Sequence, residues 1–455
     1  MTTRSIAWFR RDLRLADNPA WSAATAGADR VTALYIVDPA LMATAGPFRR
    51  DLLWAHLRAL DAELSRLGGR LLVRRGVPSR VVGEVVEQLG AQSVHANADV
   101  TPYASHRDRQ VRERLGDSFS SWWGNLVHPP GSILTAHGHT PRVFTAFATR
   151  WLGSHPIEWS SPGAASIDDD PGDGLTEPDG VPFQDGGEAA AWRRLEEFDT
   201  RVDHYPTDRD RPAIDGTSLL SADFRFGVLS PRAALSYVGT DTGGRAEFAR
   251  QLAWREWYAH LLWEVPTLAT RALRPEFDAV AWENDPFDIA AWQEGRTGYP
   301  IVDAGMRQLA TTGWMHNRIR MITASFLVKD LLVDWRIGER WFRRLLVDAD
   351  VAQNAGNWQW VAGTGPDAAP YFRVFNPVLQ SKKFDPGGGY IRRFVPELSG
   401  LETRWIHAPW ETPPMELATA GVVLADSYPL PIVDHALARI RTLAAYGAAT
   451  RGTQS

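Results

Sequence analysis

The chain opens MTTRSIAWFRRDLRL (1–15), and the reading of that stretch decides the fold. Ser5–Phe9 is an apolar run of strand length, closed off at once by Arg10-Arg11-Asp12, so it is too short and too early in charge to be a secretory leader. A run this apolar, without alternation, suits a strand buried on both faces of a parallel sheet. Val31–Val37, Leu71–Val73 and Ser93–His95 are further runs of the same kind. Between them, Arg49–Leu67, Ser79–Leu89 and Tyr103–Leu115 carry apolar residues at helical spacing with Arg and Glu opposite. This β-α-β rhythm predicts an α/β N-terminal domain, Rossmann-like, around a parallel five-stranded sheet. No G-x-G-x-x-G follows the first strand and no G-x-x-x-x-G-K-[ST] occurs, which excludes the usual dinucleotide and nucleoside triphosphate fingerprints.

Outward from that start, the 455-residue chain has a formal charge of −5 and no Cys. The absence of Cys excludes a disulfide framework, a thiolate metal centre and a Cys nucleophile, and it suits a reducing, cytoplasmic setting. No apolar run approaches the roughly 20 residues of a membrane span. Charge is unevenly placed: residues 161–190 hold eight acids and no Lys or Arg, so the remainder sums to −5 + 8 = +3. A slightly basic body permits a polyanionic partner. The expected organisation is an α/β domain over 1–130, an acidic, Pro/Gly-rich linker over 131–200 running across the surface, and an all-α domain over 201–455. Within the last, Ser230-Pro231 reads as an N-cap followed by Pro at the first helical position. The 303–335 stretch reads as two helices broken before Trp314 by Thr312-Gly313.

Few familiar chemistries fit. Ten of the 20 Trp lie between Trp254 and Trp360, and core packing, ligand stacking and electron relay are all open to them. Asp348, Asp350 and Asn354 fall close together, but Gln353 and Gln359 stand where an EF-hand needs Gly and Glu. His137-Gly-His139 has no third ligand at metal spacing, and no G-x-S-x-G exists. No metal site is therefore expected. Gly216–Ser221 (GTSLLS) groups hydroxyls and backbone N–H groups before a helical segment, suiting a phosphate cradle or a plain capping loop.

Taken together, the residues resemble the photolyase/cryptochrome flavoproteins, specifically the microbial class I cyclobutane pyrimidine dimer photolyases. The resemblance is carried by TRSIAWFRRDLRLADNPA (3–20 with Thr3 first), GTSLLSADFRFGVLSPR (216–232), WREWYAHLLWE (254–264), the 298–342 stretch with GWMHNR, and the 348–377 stretch with NWQW. It implies an all-α C-terminal domain that binds FAD, and light-driven repair of pyrimidine dimers by electron transfer from excited FADH⁻. The alternative is a blue-light cryptochrome-type receptor without repair. By position, Tyr205, Thr217, Ser218, Leu219, Leu220, Ser221, Asp348, Ala349 and Asp350 are implied to contact FAD, Arg320 to pair with the first aspartate, and Asn354 to face flavin N5. Trp358, Trp335 and Trp282 match the photoreduction chain.

For the substrate, UV-damaged DNA, the resemblance implies that Trp254 stacks on a flipped dimer and that Gln251, Arg255, Asn317 and Met321 line the same cavity. Arg209, Arg318, Gln380 and Lys383 match positions that touch the DNA backbone. Gln251 stands where the enteric enzymes carry Glu. The 6-4 enzymes need two His where this chain has Asn317 and Met321, which argues against 6-4 repair. For an antenna chromophore, Asp99 and Tyr103 look like the deazaflavin branch, since Tyr103-Ala104 replaces the Asn-Glu pair of the folate branch. The expectation is 8-hydroxy-5-deazaflavin rather than methenyltetrahydrofolate, in a monomer with no obligate protein partner.

Overall fold

The structure, a computed structural model, describes residues 2–159, 161–175, 180–367 and 370–451. Glu177 and Asp179 of the acidic stretch lie outside the described residues. The chain divides into two compact units, one of residues 1–203, 218–266 and 347–352, the other of 204–217, 267–346 and 353–455.

In the first unit, β1 (Arg4–Phe9), β2 (Arg30–Val37), β3 (Leu71–Arg75), β4 (Ser93–Asn97) and β5 (Phe119–Trp122) form the expected parallel sheet in the order 3-2-1-4-5. Ile6 lies opposite Thr32, and Trp8 opposite Ala96. All of β1 and β2 after their first residues is buried, as a sheet covered on both faces requires. Ile6, Trp8, Leu34, Ile36, Leu72 and Val94 pack against Val81, Val82 and Val85 of the helix Pro78–Leu89. On the other face Phe9 meets Trp21 of the helix Pro19–Ala26 at 5.8 Å.

The helices begin one or two residues before the periodic signal does, at Pro47, Pro78 and Pro102. Proline at the first helical position lacks an N–H that no partner would have taken, and it contributes nothing to apolar periodicity. The strands are longer than their apolar runs for a similar reason: β3 continues through Arg74 and Arg75, whose backbones pair with Ile36 and Val37.

The stretch expected to be a surface connection is more structured than its composition suggests. It contains the helices Phe144–Leu152 and Glu188–Asp199 and a two-residue strand, β6 (Ser166–Ile167), which pairs with β2 before β3 begins. Asp168 of the acidic run is buried, accepting from Arg30 Nε at 2.8 Å and from Thr32 Oγ1 at 2.5 Å. A carboxylate there is held because two donors replace its water.

The long helix Gly243–Glu264 belongs to this first unit for identifiable reasons. Buried Glu256 accepts from the backbone N–H groups of Val127, at 2.8 Å, and His128. Trp257 donates to the Pro141 carbonyl at 2.7 Å, and Arg255 to that of Asn125 at 3.0 Å. Arg14 of the opening motif is buried and spends its donors on the oxygens of Ala16, Asp17, Gly124, Asn125 and Gly227.

The second unit is built from helices. Pro300–Thr312 ends on Gly313 in the left-handed region (φ +68°), which places the expected break before Trp314. Asn317–Ser325 then runs into a π-helical turn, Phe326–Asp330, and Trp335–Leu345, Val351–Ala362, Pro377–Phe384 and His435–Arg451 follow. Phe277, Val280, Leu332 and Tyr446 make one core cluster of this unit. Among the described residues no helix is long and apolar enough to cross a membrane, and no group of His, Cys, Asp and Glu could hold a metal.

Candidate functional site

In the first unit the expected cofactor residues fall on two short segments. Ser218–Leu220 leads into the helix Ser221–Phe226, with Leu219 in the left-handed region at φ +54°. A branched side chain costs about 1–2 kcal/mol there, so the turn is held against its own preference. Leu220 is buried and Ser221 exposed. On the second segment Asp348 and Ala349 are buried, and Asp350 pairs with Arg11, which follows β1. Arg11 also reaches Asp99 at 2.9 Å. Burial alone would push the Asp99 carboxyl up, and Asp350 adds to it, but Arg11, Arg225 and Arg107 together outweigh this and the pKa lies below its ordinary value. Burial pulls Arg225 down to about 9 while its Nε donates to the Ala349 carbonyl.

The expected lesion and antenna positions of this unit have defined neighbours. Trp254 stacks on Phe144, centroids 3.7 Å apart and planes 14° from parallel, and meets Trp257 edge-on. Gln251 donates to Glu247 at 2.8 Å, which orients its amide. The exposed Tyr103 gives its hydroxyl proton to Asp38.

In the second unit Asn354 is buried, and its amide donates to the Glu339 carbonyl and to Glu339 Oε1, both at 2.9 Å. Both N–H groups being used, Asn354 presents only its carbonyl oxygen to any further partner. Glu339 is itself buried; burial raises its pKa, opposed by Arg343 and by Asn354. Trp358 and Trp335 are buried and Trp282 half-buried. Trp358 packs edge-on against Phe342 and Trp292, and Trp282 edge-on against Tyr446.

The remaining positions of this unit fall on Asn317–Ser325, on Pro377–Phe384 and on the segment 205–217. Arg320 donates to the Met315 carbonyl at 2.7 Å, and Asn317 is exposed. Arg318 pairs with Asp210 at 2.8 Å, reaches Met321 Sδ at 3.6 Å and lies over the Phe384 ring. Lys383 is exposed and also lies over Phe384, Gln380 is half-buried one turn earlier, and Arg209 lies over Tyr205. Thr217 is half-buried.

Two family descriptions match this chain: "DNA photolyase" over residues 5–164 and "FAD binding domain of DNA photolyase" over 248–448. A deoxyribodipyrimidine photo-lyase of Agrobacterium fabrum is 42% identical over 99% of both chains. The chain belongs to the photolyase/cryptochrome family. The solved class III photolyase of Agrobacterium tumefaciens is similar with a TM-score of 0.91 at 40% identity, covering 99% of this chain and 98% of that one. An archaeal photolyase of Sulfolobus tokodaii, described with two FAD molecules, gives 0.86 at 33% identity over 98% and 100%.

For a photolyase-family chain, three structural partners of the expected residues were not singled out from sequence. Glu339 orients Asn354, Phe144 backs Trp254, and Gly338 lets the helix Trp335–Leu345 approach Trp358. A Cβ on Gly338 would overlap the Trp358 ring and Leu327 Cδ2. A Gly inside a helical pattern three residues after Trp335 is a visible signal, since Gly in a helix interior costs about 1 kcal/mol relative to Ala. Phe144 carried no such signal, being over a hundred residues from Trp254.

Proposed function

We propose that this chain is a deoxyribodipyrimidine photo-lyase, a light-driven enzyme that splits cyclobutane pyrimidine dimers in UV-damaged DNA. The observation that carries the reading beyond family membership is Asn354, a buried neutral amide locked by Glu339 so that it offers an acceptor and no donor. Such a group fits the N–H at N5 of a reduced flavin, whereas a carboxylate there would set like charge against an anionic ring. FAD, when bound and reduced, supplies on light absorption the electron that opens the dimer's cyclobutane ring, and the electron returns when the ring has opened.

The chain's own residues bind and orient. We assign FAD contacts to Tyr205, Thr217, Ser218, Leu219, Leu220, Ser221, Arg320, Asp348, Ala349, Asp350 and Asn354. Trp254, stacked on Phe144, offers a flat face to a flipped dimer, and we assign further dimer contacts to Gln251, Arg255, Asn317 and Met321. Arg209, Arg318, Gln380 and Lys383 hold phosphates. Trp358, Trp335 and Trp282 restore the reduced state by passing an electron inward. Residues 1–130, 131–200 and 201–455 serve as antenna domain, linker and FAD domain. Class I membership, a monomer in the cytoplasm without an obligate protein partner, and 8-hydroxy-5-deazaflavin near Asp99 and Tyr103 complete the proposal.

The purified protein tests the assignment directly. Denaturation should release FAD, and dimer-containing duplex should bind at least tenfold more tightly than the same undamaged duplex. Protein without flavin, or with equal affinity for the two DNAs, would overturn it.

A further inference from the structure

Arg318 and Asp210 are 108 residues apart, and one carboxylate oxygen, Asp210 Oδ1, accepts from both Nε (3.2 Å) and Nη2 (2.8 Å) of the guanidinium. The Arg318 side chain is 18% exposed and that of Asp210 37%, so the carboxylate is the more open partner of the pair. The guanidinium is otherwise placed by Met321 Sδ at its Nη1 and by the Phe384 ring below its plane. Asp208-Arg209-Asp210-Arg211 sums to zero, Arg211 lies 3.9 Å from Asp208, Lys382 is exposed, and the exposed Lys383 has its ammonium over the Phe384 ring that also lies against Arg318. His316 takes the Arg318 backbone N–H on Nδ1. Burial, opposed by Asp210 and reinforced by Arg320, Arg318 and Arg209, holds His316 near 4, so it is uncharged at neutral pH.

We infer that Asp210 is a built-in phosphate mimic, occupying Arg318 in the free protein and displaced when a DNA phosphate takes its place. The inference rests on the assignment of Arg318 to the DNA backbone. A carboxylate offers a guanidinium the same anionic oxygens as a phosphate, so the two compete for one group rather than adding. On exchange the DNA sheds a condensed cation while the freed Asp210 attracts one. The Arg318 contact then adds little to the salt dependence of binding, where an unpaired Arg would add about one unit to the slope of log K against log salt. Its effect is to weaken the enzyme's hold on DNA of any kind, lesion or none, and so to speed release after repair.

The test is a set of salt titrations on paired damaged and undamaged duplexes with the wild type, Asp210→Asn, Arg318→Ala and the double variant, with Asp210→Ser as a second replacement. Asp210→Asn should tighten both duplexes by about threefold to tenfold at low salt and steepen the slope by about one unit, leaving their ratio unchanged. Arg318→Ala alone should change the slope by much less than one unit, and in its background Asp210→Asn should have no effect. Weaker binding by both Asp210 variants would make Asp210 an orienting partner of Arg318, and unchanged binding would make it a bystander; either overturns the inference. Light-dependent dimer repair by the wild type is followed alongside. If the wild type repairs dimers and the Asp210 variants bind as it does, this inference alone fails. If the wild type neither repairs nor prefers damaged DNA, the functional assignment fails with it.

Discussion

Asn354 is defined by what its neighbour takes from it. Glu339 uses both amide protons, so Asn354→Asp would set two buried carboxylates against each other at hydrogen-bond distance and force one to hold a proton. The expected outcome is retained flavin content, a less stable reduced flavin and loss of repair, followed by absorption spectra and dimer counts; unchanged spectra and full repair would remove Asn354 from the site. Gly338 makes a second prediction. Ala normally gains about 1 kcal/mol over Gly in a helix, but here the added methyl meets the Trp358 ring. Gly338→Ala should therefore lose about 1–3 kcal/mol in denaturant unfolding and slow flavin photoreduction. Asn354 was legible through the NWQW stretch it precedes, and Glu339 was not, because an acid on a charged helix face is indistinguishable in sequence from one turned inward.

Among the elements, the parallel strands were legible because their apolar runs are continuous, and their ends were not, because Arg74, Arg75 and Asn97 pair through backbone alone. The helical starts were hidden behind prolines for the reason given above. The helix Gly243–Glu264 shows what sequence could not assign: its place in the first unit depends on Glu256 accepting from the N–H groups of Val127 and His128, a pairing across more than a hundred residues. The helices bearing Trp335 and Trp358 and the segment bearing Trp282 carry a prediction of their own. Trp282 is the half-buried member of the three, suited to be the outer end of a relay. Trp282→Phe should keep FAD bound and slow photoreduction of the oxidised protein at least tenfold, while repair by chemically reduced protein continues. Undiminished photoreduction would show that electrons enter by another route.

At the scale of the whole molecule, stability responds to buried groups of opposite sign. His56, in the first unit, is fully buried with Nδ1 accepting from Gly187, and burial lowers its pKa to about 3. The unfolded chain binds a proton there below about pH 6.5 and the folded chain does not, so this contribution is present above that pH and is lost as pH falls. Asp330, raised to about 6 by burial, acts in the opposite sense between its two pKa values. Comparing wild type with His56→Gln, which keeps an acceptor for Gly187, isolates the first term. The stability difference should move in the variant's favour by about 1.4 kcal/mol for each pH unit below 6.5. A difference that stays constant down to pH 4.5 would mean that His56 is protonated in the folded protein.

A photo-lyase uses its bound flavin to repair DNA rather than to report light. Counting cyclobutane dimers in an oligonucleotide incubated with the reduced protein, in blue light and in darkness, separates the two uses. Dimers should disappear in the light over many turnovers per protein molecule and persist in the dark. Dimers that persist under illumination, with FAD bound, reduced and excited, would contradict a repair role and make the chain a receptor.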